Sequence, residues 1–308
     1  MPPATQKKHF AGQHIALLID GDSANSAYLK SAEGGMIKAT STEEPGAGYH
    51  LRERHLSTRE ISPLTLEFGI AGAKWAMQRV KQILANSTHD LVSGQIIHAD
   101  TNFVQQYLYE FADARITEFT LPKLDAKGKE VGFLKMVLQP EAINFGITKG
   151  AVLAPGNVSK QKSWVTSGFS LSIGGVIMAS SIEALSVKVG AKAYQTGPFK
   201  LPQYAPTGKI EMPKLVFTVP MAHAATMVNW FQSAVIREQG LADGDKYEKD
   251  AIIEYLDTTR KKTLYTIELE RIGPETLEVV KDDSSTKSMK FTCYITGMKV
   301  HDSGEGLI

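Results

Sequence analysis

The sequence predicts a mainly β chain of the α+β kind, in which one β-rich domain with a single helix is written twice in tandem. Three observations carry that prediction. Residues His14 to Phe145 and Phe169 to Val300 lie over one another at a nearly constant offset of about 155. Each half opens with an apolar strand closed by glycine, Leu17-Leu18-Ile19-Asp20-Gly21 and then Leu171-Ser172-Ile173-Gly174-Gly175. Each also sets a tryptophan, Trp75 or Trp230, at the matching place of an amphipathic stretch.

The elements follow in order. A second strand leads into a polar excursion containing Gly and Pro, Gly35 to Glu60 in one half and Leu185 to Lys209 in the other. A proline-led alternating strand comes next, Pro63 to Phe68 and Pro213 to Val219; alternation puts one face in a core, and proline is tolerated where no ladder donor is yet needed. The spacing then predicts helices over Gly72 to Ala85 and Ala222 to Ile236. Their apolar stripes are Ala76, Val80, Ile83 and Leu84, and Met227, Trp230, Phe231 and Ala234. Trp75 and Trp230 read as packing anchors rather than ligand-stacking rings. Strands return at Gln106 to Phe111 and Arg115 to Leu121, matched to Ile252 to Leu256 and Leu264 to Ile272. Charged turns, Asp125 to Lys129 and Lys281 to Ser285, precede the last strands, Phe133 to Leu138 and Met289 to Ile295. The expected order is β-β-β-α-β-β-β, twice. Residues 1–147 form the first domain and 163–308 the second. The linker, 148–162, is rich in Gly, Pro, Ser and Lys.

Composition excludes several classes. Of 308 residues 43% are hydrophobic and 22% charged, enough for a sizeable core in each half. Lys and Arg number 34 against 33 Asp and Glu, so no global basic excess exists to neutralise a phosphate backbone. The single cysteine, Cys293, lies in an apolar run and reads as a buried structural thiol; no internal disulfide can form. The polar start, Met1 to Phe10, lacks the apolar core of a secretory signal, and no apolar stretch approaches the roughly 20 residues that span a bilayer. A chain made and folded in the cytoplasm is expected.

A search for chemistry returns little. None of the eight histidines, His50, His55 and His223 among them, has metal-ligand spacing, so no metal and no cofactor is expected. No nucleophile elbow or Walker loop occurs, and no catalytic residue is named. Glu33-Gly34-Gly35 and Ile173-Gly174-Gly175 read as strand ends that need positive φ. The run Arg52-Glu53-Arg54-His55 reads as a solvated loop or an ion-paired subunit contact, and Lys160 to Lys162 and Arg260 to Lys262 as solvated turns. An enzyme would need nucleophile, base and orienter close together, and nothing points to such a set.

The first half resembles the tail-tube protein family of contractile phages and phage-derived injection systems. The residues that carry the resemblance are Ile15 to Gly21, the strand Pro63 to Phe68 entering the Trp75 helix, and above all Tyr109 to Ala126 followed by Gly132 to Glu141. The second half looks like a diverged copy, through Phe169 to Gly175 and Tyr265 to Leu277. The resemblance implies a β-sandwich or small barrel flanked by a helix, oligomerising into a ring around a lumen. Its partners would be itself, neighbouring tube, baseplate or sheath proteins, and cargo or DNA passing through the lumen. The particle would be a phage virion tail or an injection device. The excursions, Gly35 to Glu60 and Ala191 to Lys209, would contact the neighbouring ring. An ordinary tube subunit has one such domain. With two, three chains would give a pseudo-hexameric ring of the baseplate-hub type, or six chains would give stacked or concentric layers as a large tube subunit. A different class of reading is a tail-tip binding module, which needs exposed aromatics on one face; Tyr194, Phe199 and Tyr204 are the cluster that could serve, and packing against a neighbouring subunit is the favoured reading for them.

Overall fold

The computed structural model describes residues 14–19, 22–44, 53–70, 73–86, 91–147, 150, 152, 164–194, 203–237, 244–281 and 287–302. The first half contains β1 (His14–Ile19), β2 (Asp22–Gly34), a hairpin of β3 (Ile37–Glu44) and β4 (Glu53–Ile61), β5 (Leu64–Gly69) and helix α1 (Lys74–Asn86). It continues with β6 (Val92–Ala99), β7 (Gln105–Leu121), β8 (Leu124–Asp125), β9 (Phe133–Gln139) and β10 (Ala142–Ile147). The strands β7-β6-β1-β2-β5-β9 are hydrogen-bonded neighbours, all antiparallel, and β9 returns to β7, so the sheet closes on itself. β7 is long enough to close it because its first part pairs with β6 and its second part, Arg115 to Thr120, pairs with β9. Strand alternation fills the interior: Leu64, Leu66 and Phe68 of β5 and Leu134, Met136 and Leu138 of β9 are all buried.

The second half repeats the order. It contains β11 (Phe169–Ile173), β12 (Val176–Ile177), β13 (Ser181–Ile182), a hairpin of β14 (Leu185–Tyr194) and β15 (Gln203–Glu211), β16 (Leu215–Pro220) and helix α2 (Ala225–Phe231). A short helix α3 (Gly244–Tyr247) leads to β17 (Lys249–Leu256), β18 (Thr263–Lys281) and β19 (Lys287–Asp302). Its sheet runs β12-β11-β17-β18-β19-β16-β13. In the first barrel β2 alone pairs with both β1 and β5; in the second, β12 pairs with β11 and β13 with β16.

Four expectations need correction. Gln106 to Phe111 and Arg115 to Leu121 are one strand, β7, and the counterpart of β17 is β6, a strand the periodicity did not reveal. VSGQIIHA alternates poorly because Ile97 and Ala99 are covered on the outer face as Ile96 is on the inner. The polar excursions are β-hairpins over their described residues. The second helix is not uniform: a 3-10 turn, Met221–His223, precedes α2 and a π turn, Gln232–Ile236, ends it.

The two barrels share strands. β14 pairs with β7, extending the first sheet, and β8 pairs with β13, extending the second. Trp164 sits in this seam, 2% exposed, donating Nε1–H to the carbonyl of Leu256 at 2.8 Å with its ring centroid 5.2 Å from that of Tyr255. Its carbonyl accepts from the amide of Gly132, where a Cβ would fall 2.1 Å from the indole. Trp164 thus ties the turn before β9 to the end of β17.

Candidate assembly interface

The edge at which the barrels meet is made by a bend in β7. Asp113 has φ of 52°, and there the pairing with β6 slips by one residue, with Val92 opposite Ala114 and Gly94 opposite Phe111. A bulge bends a strand and ends its pairing locally, so beyond Ala114 the β6 side of β7 is free for another strand. β18 has the same device. Arg271 has φ of 50°, with Lys249 opposite Ile272 and Ala251 opposite Leu269. In both bulges a side chain from the facing strand accepts the hydrogen bond of the strained residue. Ser93 Oγ accepts from the Asp113 amide at 3.0 Å, and Asp250 Oδ1 from the Arg271 amide at 2.9 Å. The preceding turns match as well, with Phe103 at φ of 60° and Arg260 at 56°. The carboxylates of Asp100 and Asp257 accept from the amides of Val104 and Lys261 at 3.0 Å. Residues with a Cβ rarely adopt positive φ, so two such pairs at equivalent places mark one backbone used twice.

β14 fills the free edge of β7, with Leu185 opposite Leu121, Ser186 opposite Thr120, Val187 opposite Phe119 and Lys188 opposite Glu118. Leu121, Phe119, Leu185 and Val187 are buried, and removing a side chain of that size from water is worth about 1.5–3 kcal/mol. On the other face Thr120 Oγ1 donates to Ser186 Oγ at 3.0 Å, and Ser186 Oγ donates to Glu118 Oε1 at 2.6 Å. Lys123 pairs with Glu183 at 3.0 Å. Farther out, Arg115 Nε donates to the carbonyl of Tyr204 at 2.7 Å, and the Tyr204 amide donates to Glu141 at 3.2 Å. Burial, and then the charge of Glu60, raise the Tyr204 phenol above its ordinary pKa. On the second barrel β19 lies against α1. The base of the second hairpin, Leu185 to Lys188, is therefore paired inside the chain.

No family model and no curated protein matches this sequence. Solved structures do match, each over roughly half of this chain. The tube-terminating cap of the anti-feeding prophage is 17% identical with a TM-score of 0.40, covering 47% of this chain and 95% of that one. A sheath–tube complex of the PVC extracellular contractile injection system in the extended state is 13% identical with a TM-score of 0.39, covering 49% and 99%. Hcp1 from Flavobacterium johnsoniae is 10% identical with a TM-score of 0.27, covering 44% and 94%.

The residues singled out in the sequence are placed as follows. Trp75 and Trp230 are buried, and Trp230 Nε1 donates to the Tyr247 carbonyl at 2.7 Å. Cys293 is buried, which pushes its thiol up to about 12. Tyr194 and Tyr204 do not converge: Tyr204 stands opposite Ala193, so alternation puts Tyr194 on the other face of the hairpin. Phe199, His50, Arg52 and Lys160 to Lys162 lie outside the described residues. Arg54 belongs to β4 rather than to a loop and pairs with Glu43 across the first hairpin. Arg260 donates to the Ser167 carbonyl at 3.2 Å. Among the described residues no group of His, Cys, Asp and Glu could hold a metal, and no helix is long and apolar enough to cross a membrane. Sequence reasoning missed His98, which is buried and stacked on Tyr107 at 4.3 Å, with its pKa lowered by burial. It also missed the edge of β7, whose only sequence signal is the alternation of Phe119 and Leu121.

Proposed function

We propose that this chain is a tandem-duplicated structural subunit of a tail-tube-like contractile particle, a phage tail or an injection device. It builds a ring around a central lumen and carries out no turnover. The observation that carries this reading is the antiparallel pairing of β14 with β7, which makes the sheet of one barrel continuous with an arm of the next. Barrels joined at their edges in that way extend sideways, around a ring, and the free edges of each sheet are consumed by the neighbour. Three chains then supply six barrels of alternating type, the arrangement of a hub or adaptor between a sixfold tube and a threefold partner. The ring's further partners would be tube, baseplate or sheath proteins above and below it.

Native mass spectrometry of the purified chain, with electron-microscope images of the same sample, tests this. A trimer or a ring with threefold symmetry is the expected result. A hexamer, or tubes of stacked sixfold rings, would replace the hub by a two-domain tube subunit. A monomer at every concentration would overturn the ring.

A further inference from the structure

The pairing that joins the two barrels within the chain has an unfilled counterpart at each outer end. The register fixes the equivalence. Met136 of β9 stands opposite Leu66 and Phe119, and Phe291 of β19 stands opposite Phe217 and Leu277, so Leu277 on β18 occupies the place of Phe119 on β7. In the hairpins Lys38 stands opposite Glu60 and Lys188 opposite Glu211, and both ladders slip one step later, after Ala39 and after Val189. Ile37 therefore occupies the place of Val187.

Burial reverses between the equivalent places. Val187 and Leu121 are 0% exposed, whereas Ile37 is 50% and the counterpart of Leu121, Val279, is 62% exposed. Met36, beside Ile37, is 57% exposed. β3 has β4 on one side and, among the described residues, no strand on the other; β18 beyond Ile272 has β19 on one side and likewise none on the other. Met36 turns its amide and carbonyl to Ser62, so strand alternation sends those of Ile37 to the open side. Two apolar, half-paired edges of matching shape thus stand at opposite ends of one chain.

We propose that the base of the first hairpin, Gly35 to Lys38, adds as an antiparallel strand to the open edge of β18, Thr276 to Val279, in a second copy of this chain. The register is that of the junction within the chain, with Gly35 opposite Val279, Met36 opposite Glu278, Ile37 opposite Leu277 and Lys38 opposite Thr276. Lys38 is then diagonal to Glu278 on one face, the position at which opposite charges reinforce a pair of strands. The same relation brings Ile236, 65% exposed at the end of the second helical stretch, to β9 of the copy that donates the hairpin, as α1 lies against β19. The contact is head-to-tail, so every copy both gives a hairpin and accepts one. This inference rests on the ring reading and supplies its chain-to-chain contact.

The test mixes Met36→Cys protein with Glu278→Cys protein under mild oxidation at the concentration where native mass spectrometry shows oligomers. The native Cys293 is buried and stays silent. The expected result is a mixed disulfide dimer, mapped to Met36→Cys and Glu278→Cys by peptide mass spectrometry, in excess over either protein alone. Rings that form without that link would overturn the proposed contact and leave the ring standing; monomers at every concentration would overturn both. As a second variant, Ile37→Asp is expected to raise the concentration needed for assembly by roughly tenfold or more, with its melting curve unchanged. A folded Ile37→Asp chain that assembles like the parent would also overturn the contact.

Discussion

The hairpins β3–β4 and β14–β15 leave their barrels at the same topological point and meet different surroundings. The second lies on β7, with Leu185 and Val187 buried against Phe119 and Leu121. Among the described residues the strands of the first pair only with each other, with Gln139 donating to the Ile61 carbonyl of β4, and Ile37 and Leu56 are exposed. Both hairpins carry the same slip in register, so the difference lies in what stands beside them. Within one chain, the second hairpin finds the edge of β7, and among the described residues no strand pairs with the outer side of β3. An apolar strand edge left open in a folded chain is a template for pairing with another chain. The covered hairpin is the pattern for the contact proposed for the uncovered one.

The largest expected effect breaks that comparison directly. Val187→Asp places a carboxylate in the buried seam between β14 and β7, where burial strips its water, and should cost about 4 kcal/mol or more of stability. Ile37→Asp at the equivalent place should change the stability of the isolated chain by no more than about 0.5 kcal/mol, the ordinary range for surface substitutions. Urea denaturation of both variants measures the difference. Equal losses would mean that the two hairpin bases are packed alike and that the open edge is not open.

A smaller effect sharpens the role of the seam. Gly132→Ala pushes a methyl group into the Trp164 indole, which is held by Leu256 and Tyr255 and has little freedom to withdraw. Overpacking of this kind costs roughly 1–3 kcal/mol. Gly146→Ala is the control, since a methyl there meets only ordinary contacts with Leu108. If the two alanines melt alike, Trp164 is not the pin between the barrels.

Much of each half was legible in the sequence, and the reasons are local. Glycine pairs at Gly34-Gly35 and Gly174-Gly175 mark strand ends that need positive φ, and all four have it. Trp75, Trp230 and Cys293 announced their burial through apolar periodicity. What escaped depends on partners distant in sequence. Strand β6 is covered on both faces and so loses the alternation by which a half-buried strand is recognised. The left-handed positions, Phe103 with Arg260 and Asp113 with Arg271, carry no glycine to betray them. The crossing of β14 to β7 is invisible because alternation gives a strand its face but not its neighbour. The aromatic cluster failed for a related reason: proximity in sequence did not put Tyr194 and Tyr204 on one face.

The two bulges offer a further contrast. At Asp113 the strained residue is held by one neutral acceptor, Ser93; at Arg271 it is also held by Glu248, whose carboxylate accepts from Nε at 2.6 Å and from the Tyr294 hydroxyl at 2.8 Å. Asp113→Gly relieves positive φ at an exposed site and should stabilise the chain by up to about 1 kcal/mol, whereas Arg271→Gly gives up the ion pair and should gain nothing. Thermal melting of both variants checks this, and a gain at Arg271→Gly would mean that the pair with Glu248 contributes little.

The hydrogen bonds from Arg271 and then Tyr294 hold the Glu248 carboxyl below its ordinary value. A carboxyl with a lowered folded-state pKa contributes stability at pH above its unfolded value, and that contribution fades as the pH falls through the folded one. The first half has Leu91 in the equivalent position, since Val92 opposite Ala114 corresponds to Lys249 opposite Ile272. Glu248→Leu therefore makes the second bulge like the first. Between about pH 6 and about pH 3 the parent chain should lose more of its denaturation midpoint than this variant, because the variant has no such carboxylate left to protonate. Identical acid profiles would show that the Arg271–Glu248–Tyr294 group adds nothing to the bulge beyond what Asp250, like Ser93 in the first half, already supplies.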